Sequence, residues 1–264
     1  MAAAAAFAVL ALSAIALFLR RDTVPITATK SPAPAVPLTA PSAPPVVASL
    51  ADGAGRIALL GDGTIAGVDV LSPRDADDVR AVLSGRSIAT PAFLAAMPGA
   101  VRGGRDAGAH PLRAIEPFRS AVLDARPRFS WTPVRDARSY RVAVFDADYE
   151  EIVRSETLDA TSWAPSNALP AGVDLTWHVV AETDGGEISS AGPDRAEAVF
   201  RVLTAQEAAE VEAGADHYRH SHLMCGLLFS RYGLLHDARR ELRALAGQNP
   251  DSPVARRLID TISR

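Results

Sequence analysis

Apolar and polar positions change period several times along the chain. Between residues 113 and 203 they alternate: Phe129 and Trp131, then Tyr140, Val142 and Val144, then Leu175, Trp177 and Val179 are separated by more polar neighbours. A period of two puts such residues on one face of a half-buried strand. Turn signals recur at Pro127, Asp146-Ala147-Asp148, Pro165-Ser166-Asn167, Pro170-Ala171-Gly172 and Asp184-Gly185-Gly186. Roughly seven short strands in about ninety residues predict a Greek-key sandwich.

The pattern before residue 104 is mixed. Arg56 to Leu60 and Thr64 to Val68 are β-prone runs separated by Gly61-Asp62-Gly63, which predicts a hairpin. Ser72-Pro73 then supplies an N-cap and a first-turn proline, with Asp75 near the capping-box position and Val79, Val82 and Leu83 as an apolar stripe ending at Gly85. Thr90-Pro91 repeats the device for a shorter helix with Phe93, Leu94 and Met97 on its apolar face and Gly99 as its stop. Residues 49–104 therefore read as a small module of one hairpin and two helices. Asp62 has no further acidic residue at calcium-loop spacing and reads as a turn residue.

The C-terminal pattern is helical. Gly226, Phe229, Gly233, Ala238, Leu242 and Pro250 match six of nine fixed positions of a tetratricopeptide (TPR) repeat, and residues 219–250 resemble that motif. The resemblance implies two antiparallel helices in close contact at Gly226 and Ala238, with Phe229 and Leu242 as larger packing residues and Gly233 at the turn. Three positions depart from it: His222 stands for the signature tryptophan, Cys225 for a leucine, and Leu245 for a small contact residue, which predicts a wider helix spacing there. Residues 204–218 extend the first helix or add another, and Ser252-Pro253 with Ala255, Leu258, Ile259 and Ile262 predicts a third helix. A single repeat cannot bury its own apolar faces, so this hairpin is expected to pack on the sandwich, self-associate or dock a partner.

The strand region resembles a fibronectin type III or immunoglobulin-like domain. The residues that carry it are Phe129-Ser130-Trp131, Ser139 to Val144, and Leu169-Pro170-Ala171-Gly172 leading into Leu175-Thr176-Trp177-His178-Val179. Leu175 stands where many members of that family have a corner tyrosine, so the corner hydrogen bond is expected to be absent. Trp131 and Trp177, at alternating strand positions, read as core; a ligand-stacking role on a carbohydrate-binding face is the other reading.

Ala2 through Leu19 is an apolar stretch broken only by Ser13 and followed by Arg20-Arg21. At roughly 1.5 Å per residue it is just long enough to span a bilayer, and it lacks a basic leader and a small-residue cleavage site. It reads as an uncleaved anchor in contact with lipid through residues 2–19, a poorly formed signal peptide being the other reading, and its position directly after Met1 raises the expectation of residues upstream. Residues 22–48 are rich in Pro, Ala, Thr and Ser and read as a disordered stalk reaching up to roughly 80 Å. Arginines after the span favour a cytoplasmic body, whereas the stalk and the modules favour an extracytoplasmic one, periplasmic or at the cell surface.

Charge and motifs narrow the function. A net charge of −4, with no basic run longer than a pair, excludes a nucleic-acid footprint. No nucleophile elbow, His-Glu-x-x-His, phosphate-binding glycine loop with lysine, or Cys-x-x-Cys occurs. Asp146, Asp148, Glu150 and Glu151 cluster in what reads as a solvated hairpin loop. His217, His220, His222 and Cys225 fall within nine residues, but on a helix the two pairs they form do not share a face. The expectation is no catalytic residue, no metal and no cofactor.

The expected fold class is a multidomain α+β chain: a transmembrane anchor at 1–21, a Pro/Ala-rich disordered linker at 22–48, a small α+β module at 49–104, an antiparallel β-sandwich at 113–203, and a TPR-like helical region at 204–264. That order resembles bacterial envelope proteins whose longer relatives carry a cytoplasmic zinc-finger anti-sigma domain, absent here. The expected function is a non-enzymatic, single-pass membrane protein whose extracytoplasmic domains bind a protein partner through the TPR-like hairpin or the sandwich, in scaffolding, envelope sensing or anti-sigma-type regulation. A cell-wall or carbohydrate-binding module is the alternative. Neither nucleic acid nor a small molecule is the expected ligand.

Overall fold

The computed structural model describes residues 43–68, 70–89, 91–97, 110–192 and 195–262. Strand β1 (Val46–Asp52) pairs antiparallel with β2 (Gly55–Leu60) through a tight turn, and β2 pairs with β3 (Ile65–Ala66) across the Gly61–Gly63 turn. The predicted hairpin is present, but its second arm is two residues long, and β1 starts inside the stretch 22–48 read as linker. Gly53 makes the β1–β2 turn possible: its φ is +59°, and a Cβ there would lie 2.1 Å from His220 O.

Helix α1 (Pro73–Leu83) forms as its cap signals direct. Ser72 Oγ accepts from Asp75 N at 3.1 Å and donates to the Asp75 carboxylate at 2.7 Å, while Val79, Val82 and Leu83 turn inward. The short α2 (Ala92–Ala96) buries Leu94, and Met97 follows it into the interior; its proposed cap Thr90 and stop Gly99 lie outside the described residues.

Next in the chain are β4 (Ala114–Glu116), β5 (Ser120–Val122), β6 (Phe129–Trp131), β7 (Ala137–Phe145), β8 (Glu151–Arg154), β9 (Ser162–Trp163), β10 (Asp174–Thr183), β11 (Gly186–Ser189) and β12 (Ala198–Val202). One sheet runs β5-β12-β10-β7-β8, with β11 also on β10, and a second runs β4-β6-β9. All pairings are antiparallel except β5 with β12. Inward residues of both sheets make one core, in which Phe129 meets Trp177 and Phe200 edge-on at 5.0 and 5.5 Å. Leu175 is fully buried in it, and Tyr140 instead anchors a loop, its hydroxyl accepting from Val134 N at 3.0 Å.

Four helices complete the described chain: α3 (Ala205–His217), α4 (His222–Arg231), α5 (Leu235–Gln248) and α6 (Pro253–Ile262). Thr204 and Glu207 form a capping box at the start of α3, so residues 204–218 make a separate helix. Helices α4 and α5 pack closely at Gly226, where a Cβ would lie 2.6 Å from Leu242 Cδ2. Ala238 and Leu245 are both fully buried, so Leu245 fills the core where a wider gap was expected.

The main departure from the sequence reading is what buries these helices. Leu50, Ile57 and Leu59 of the first sheet and Val79, Val82 and Leu83 of α1 share one core with Tyr218, Leu223, Met224, Leu227, Leu242, Leu245, Ala255, Leu258 and Ile262. The segments 49–104 and 204–264, read as separate modules, thus contribute to a single split core, with the sandwich inserted between them in sequence. The inward apolar faces of α4, α5 and α6 are covered by β1, β2 and α1.

The expected transmembrane helix is corrected. Among the described residues no helix is long and apolar enough to cross a membrane; the longest, α5, has 14 residues, about 21 Å of the ~30 Å required. Residues 2–19, which carried the expectation of an anchor and of lipid contact, lie outside the described residues. A single-pass membrane protein with an extracytoplasmic body is therefore not supported, and neither anchor nor location enters the functional reading.

Candidate functional site

Polar side chains tie the two halves of the split core together. Asp52, at the end of β1, is buried; it accepts from the Ser221 hydroxyl and, at 3.2 Å, from Leu223 N, so a carboxylate sits at the N-terminus of α4. Asn249, after α5, completes β1 as a strand partner would, accepting from Ala51 N at 2.8 Å and donating to Ala51 O at 2.7 Å. Arg231 on α4 bridges Asp75 at 2.6 Å and Asp78 at 2.5 Å, and the Tyr218 hydroxyl donates to Asp75 at 2.7 Å.

These contacts set the titration of the latch. Burial alone would push Asp75 up, but bonds from Ser72, Tyr218 and Arg231 outweigh it and hold the carboxyl below its ordinary value. Burial, then the Asp75 carboxylate, pushes the Tyr218 phenol up to about 12. Burial, then Glu241 and Asp52, pushes the Cys225 thiol up to about 11. A thiol so placed is a packed apolar group and a poor nucleophile.

The residues singled out in the sequence are dispersed or structural. His222 Nδ1 pairs with Glu241 at 2.9 Å, Cys225 Sγ donates to Tyr218 O at 3.2 Å, His217 lies edge-on to Tyr218, and His220 accepts from Arg219. Among the described residues no group of three or more potential ligands could hold a metal ion. Asp62 accepts from Thr64 N, and Asp146 accepts from Asp148 N and Glu150 N, so both carboxylates shape turns. Glu151 is paired with Arg154 at the sheet edge. Trp131 and Trp177 are 2% and 1% exposed, which removes both from any ligand-stacking face.

Where the split core meets the sandwich, the packing leaves a cleft. The contact itself is firm: Ala121 N donates to Gly233 O at 2.7 Å, Leu235 N donates to Ser120 Oγ at 3.2 Å, and Ala121, Leu203, Val211 and Leu234 form a small shared cluster. Gly233 permits this approach, with φ +73° and an added Cβ 2.5 Å from Phe93. Helix α2 covers the outer face of β12 through Leu94, Met97 and Val199.

Beside this seam lies a cavity of about 400 Å³ walled by Ile88 and Pro91 before α2, Leu94 and Ala95 on α2, Phe118 and Arg119 before β5, and residues of α4, α5 and α6. Of its lining hydroxyls, Ser230 donates to Gly226 O at 2.7 Å and Thr261 to Arg257 O at 2.9 Å, each engaged with its own helix. The remaining polar groups are the guanidiniums of Arg119 and Arg239. Arg119 has left-handed backbone, φ +46°, held by its N–H donating to Val199 O at 2.7 Å. Arg239 Nε donates to Ile262 O at 2.8 Å.

Among the described residues neither guanidinium forms an ion pair with a carboxylate, whereas Glu116 pairs with His236. Burial, then the charge of Arg243, holds Arg239 below its ordinary value, with Glu116 opposing. The cleft is thus an apolar hollow lined by two guanidiniums, each donating to a backbone carbonyl, Arg119 to Leu94 O at 3.5 Å and Arg239 to Ile262 O, with the Glu116 carboxylate acting on Arg239. No motif marks it in the sequence, because Leu94, Arg119 and Arg239 are brought together only by the fold. Comparison with protein-family models and with curated proteins found no match for this chain.

Proposed function

We propose that this chain is a non-catalytic binding protein that engages a protein partner at the seam cleft, with its sandwich and split core acting as a fixed frame. The observation that carries the reading is the cleft itself: about 400 Å³, mostly apolar walls, and two guanidiniums that form no ion pair among the described residues. The reading keeps the likeness of the sandwich to fibronectin type III domains and of α4 and α5 to a TPR hairpin as proposals about ancestry. It shifts the binding surface, because α4 is buried on nearly every side and offers no free groove of its own. Chemistry at the site is limited to recognition, since its hydroxyls are engaged with helix carbonyls.

The test is binding of the 264-residue chain to an array of defined peptides, with Ala95→Trp as the blocking variant, since Ala95 lines the cleft and is exposed. Saturable binding to a subset of peptides, lost in the blocked variant, is expected. A flat array, or binding that the variant leaves unchanged, contradicts the reading.

A further inference from the structure

The cleft's size and charge narrow its occupant. The cavity is about 400 Å³, with mostly apolar walls and two guanidiniums in its lining. A chain end carries a carboxylate directly beside its last side chain, and an anion next to an apolar group is what guanidiniums set among apolar walls complement.

We infer that the seam cleft captures the C-terminus of a partner chain, its α-carboxylate held by Arg119 and Arg239 and its last side chain, an apolar one, set against Leu94, Phe118 and Leu235. This rests on the reading of the cleft as a protein-binding site. Guanidiniums bind carboxylates through paired, charge-assisted hydrogen bonds, which gain strength where the surroundings exclude water. The apolar walls supply the remaining affinity and select against a polar last residue. The hydroxyls of Ser230 and Thr261 donate to helix carbonyls, so among the lining side chains the guanidiniums are the donors for an anion. The left-handed backbone of Arg119 places a strained residue at the proposed contact.

Fluorescence anisotropy with the 264-residue chain tests this on labelled hexapeptides ending in Leu, Val or Phe, each made as the free acid and as the C-terminal amide. The free acids are expected to bind, with the amides weaker by about tenfold or more. Arg119→Ala and Arg239→Ala are each expected to weaken the free acids by a similar factor, while Arg256→Ala, an exposed control on α6, leaves them unchanged. The acid-to-amide ratio uses the unaltered chain, so it stands even where a variant fails to fold. Equal binding of acid and amide overturns the inference; if Ala95→Trp still abolishes that binding, the protein-binding reading survives alone. Octanoate binding as tightly as the best peptide overturns the assignment to a chain end. Failure of every peptide, on the array and here, sinks both.

Discussion

The sandwich core takes all its buried residues from the stretch Leu112 to Val202, whereas the split core joins residues 50–83 to residues 218–262. Their polar content differs as well. Aromatic rings fill the sandwich, and a buried polar contact there is Trp177 Nε1 donating to Pro117 O at 2.6 Å. The split core is crossed by side-chain bonds between residues far apart in sequence: Asp52 to Ser221, Ala51 to Asn249, and Asp75 and Asp78 to Arg231. Apolar burial fixes that a surface is covered but not by what, while a buried carboxylate that must meet its partner fixes the register. We take the polar latch to specify how the two distant segments meet, at small net gain in stability.

The largest expected effect separates the two cores directly. Leu242→Ala, which empties the site beside Gly226, costs about 2–5 kcal/mol. All three tryptophans lie in the sandwich, so tryptophan emission follows that core while helical circular dichroism follows the other. In this variant the helical midpoint in urea should fall well below the emission midpoint. Coincident loss would mean one cooperative core.

Arg231→Met ranks second. It leaves Asp75 without its cationic partner, at a cost of about 2 kcal/mol or more given partial exposure of the site. Adding Asp75→Asn and Asp78→Asn should restore much of that loss. If it restores none, the latch acts by packing and not by charge compensation.

The dependence on pH follows from the same groups. Asp75 is depressed below its ordinary value of 3.8, so its contribution is present above that value and lost as pH falls through the lower, folded one. Tyr218 is raised from 10.0 to about 12, so its contribution is present below pH 10 and lost as pH rises toward 12. Cys225 is raised from 9.0 to about 11 and acts in the same direction. Equilibrium unfolding should therefore show decline at both extremes, and Tyr218→Phe should flatten the alkaline limb. An unchanged alkaline limb would remove Tyr218 from the account.

The smallest effect contrasts two residues within the sandwich. Trp177→Phe loses a buried hydrogen bond, whereas among the described residues Trp131 Nε1 has no partner to lose. The first substitution should cost about 1 kcal/mol more than the second, measured by urea unfolding. Equal costs would make the Trp177 bond energetically silent.

The same contrast explains what could be read in the sequence. Phe129, Trp131, Val142, Trp177 and Val179 alternate visibly because neighbouring strands of one sandwich impose a period of two, and all five are buried. Helix α1 and the third C-terminal helix were equally legible from Ser72-Pro73 and Ser252-Pro253, local signals that need no distant partner. Strand β1 was missed because its first residues follow a proline-rich run and its pairing depends on β2 and Asn249. The covering of α4 was missed because an apolar stripe carries no address. The cleft was illegible for the same reason: Arg119 and Arg239 are 120 positions apart, and only the docking of β5 against Gly233 puts them on one cavity.

Residues 43–97 are expected to fold only against the C-terminal helices. Residues 43–97 and 110–264, prepared as separate chains, test it by circular dichroism and titration calorimetry. The shorter chain should be unfolded alone, then order on mixing into a one-to-one complex. A cooperative unfolding transition of residues 43–97 by themselves, or no association with the longer chain, would contradict it.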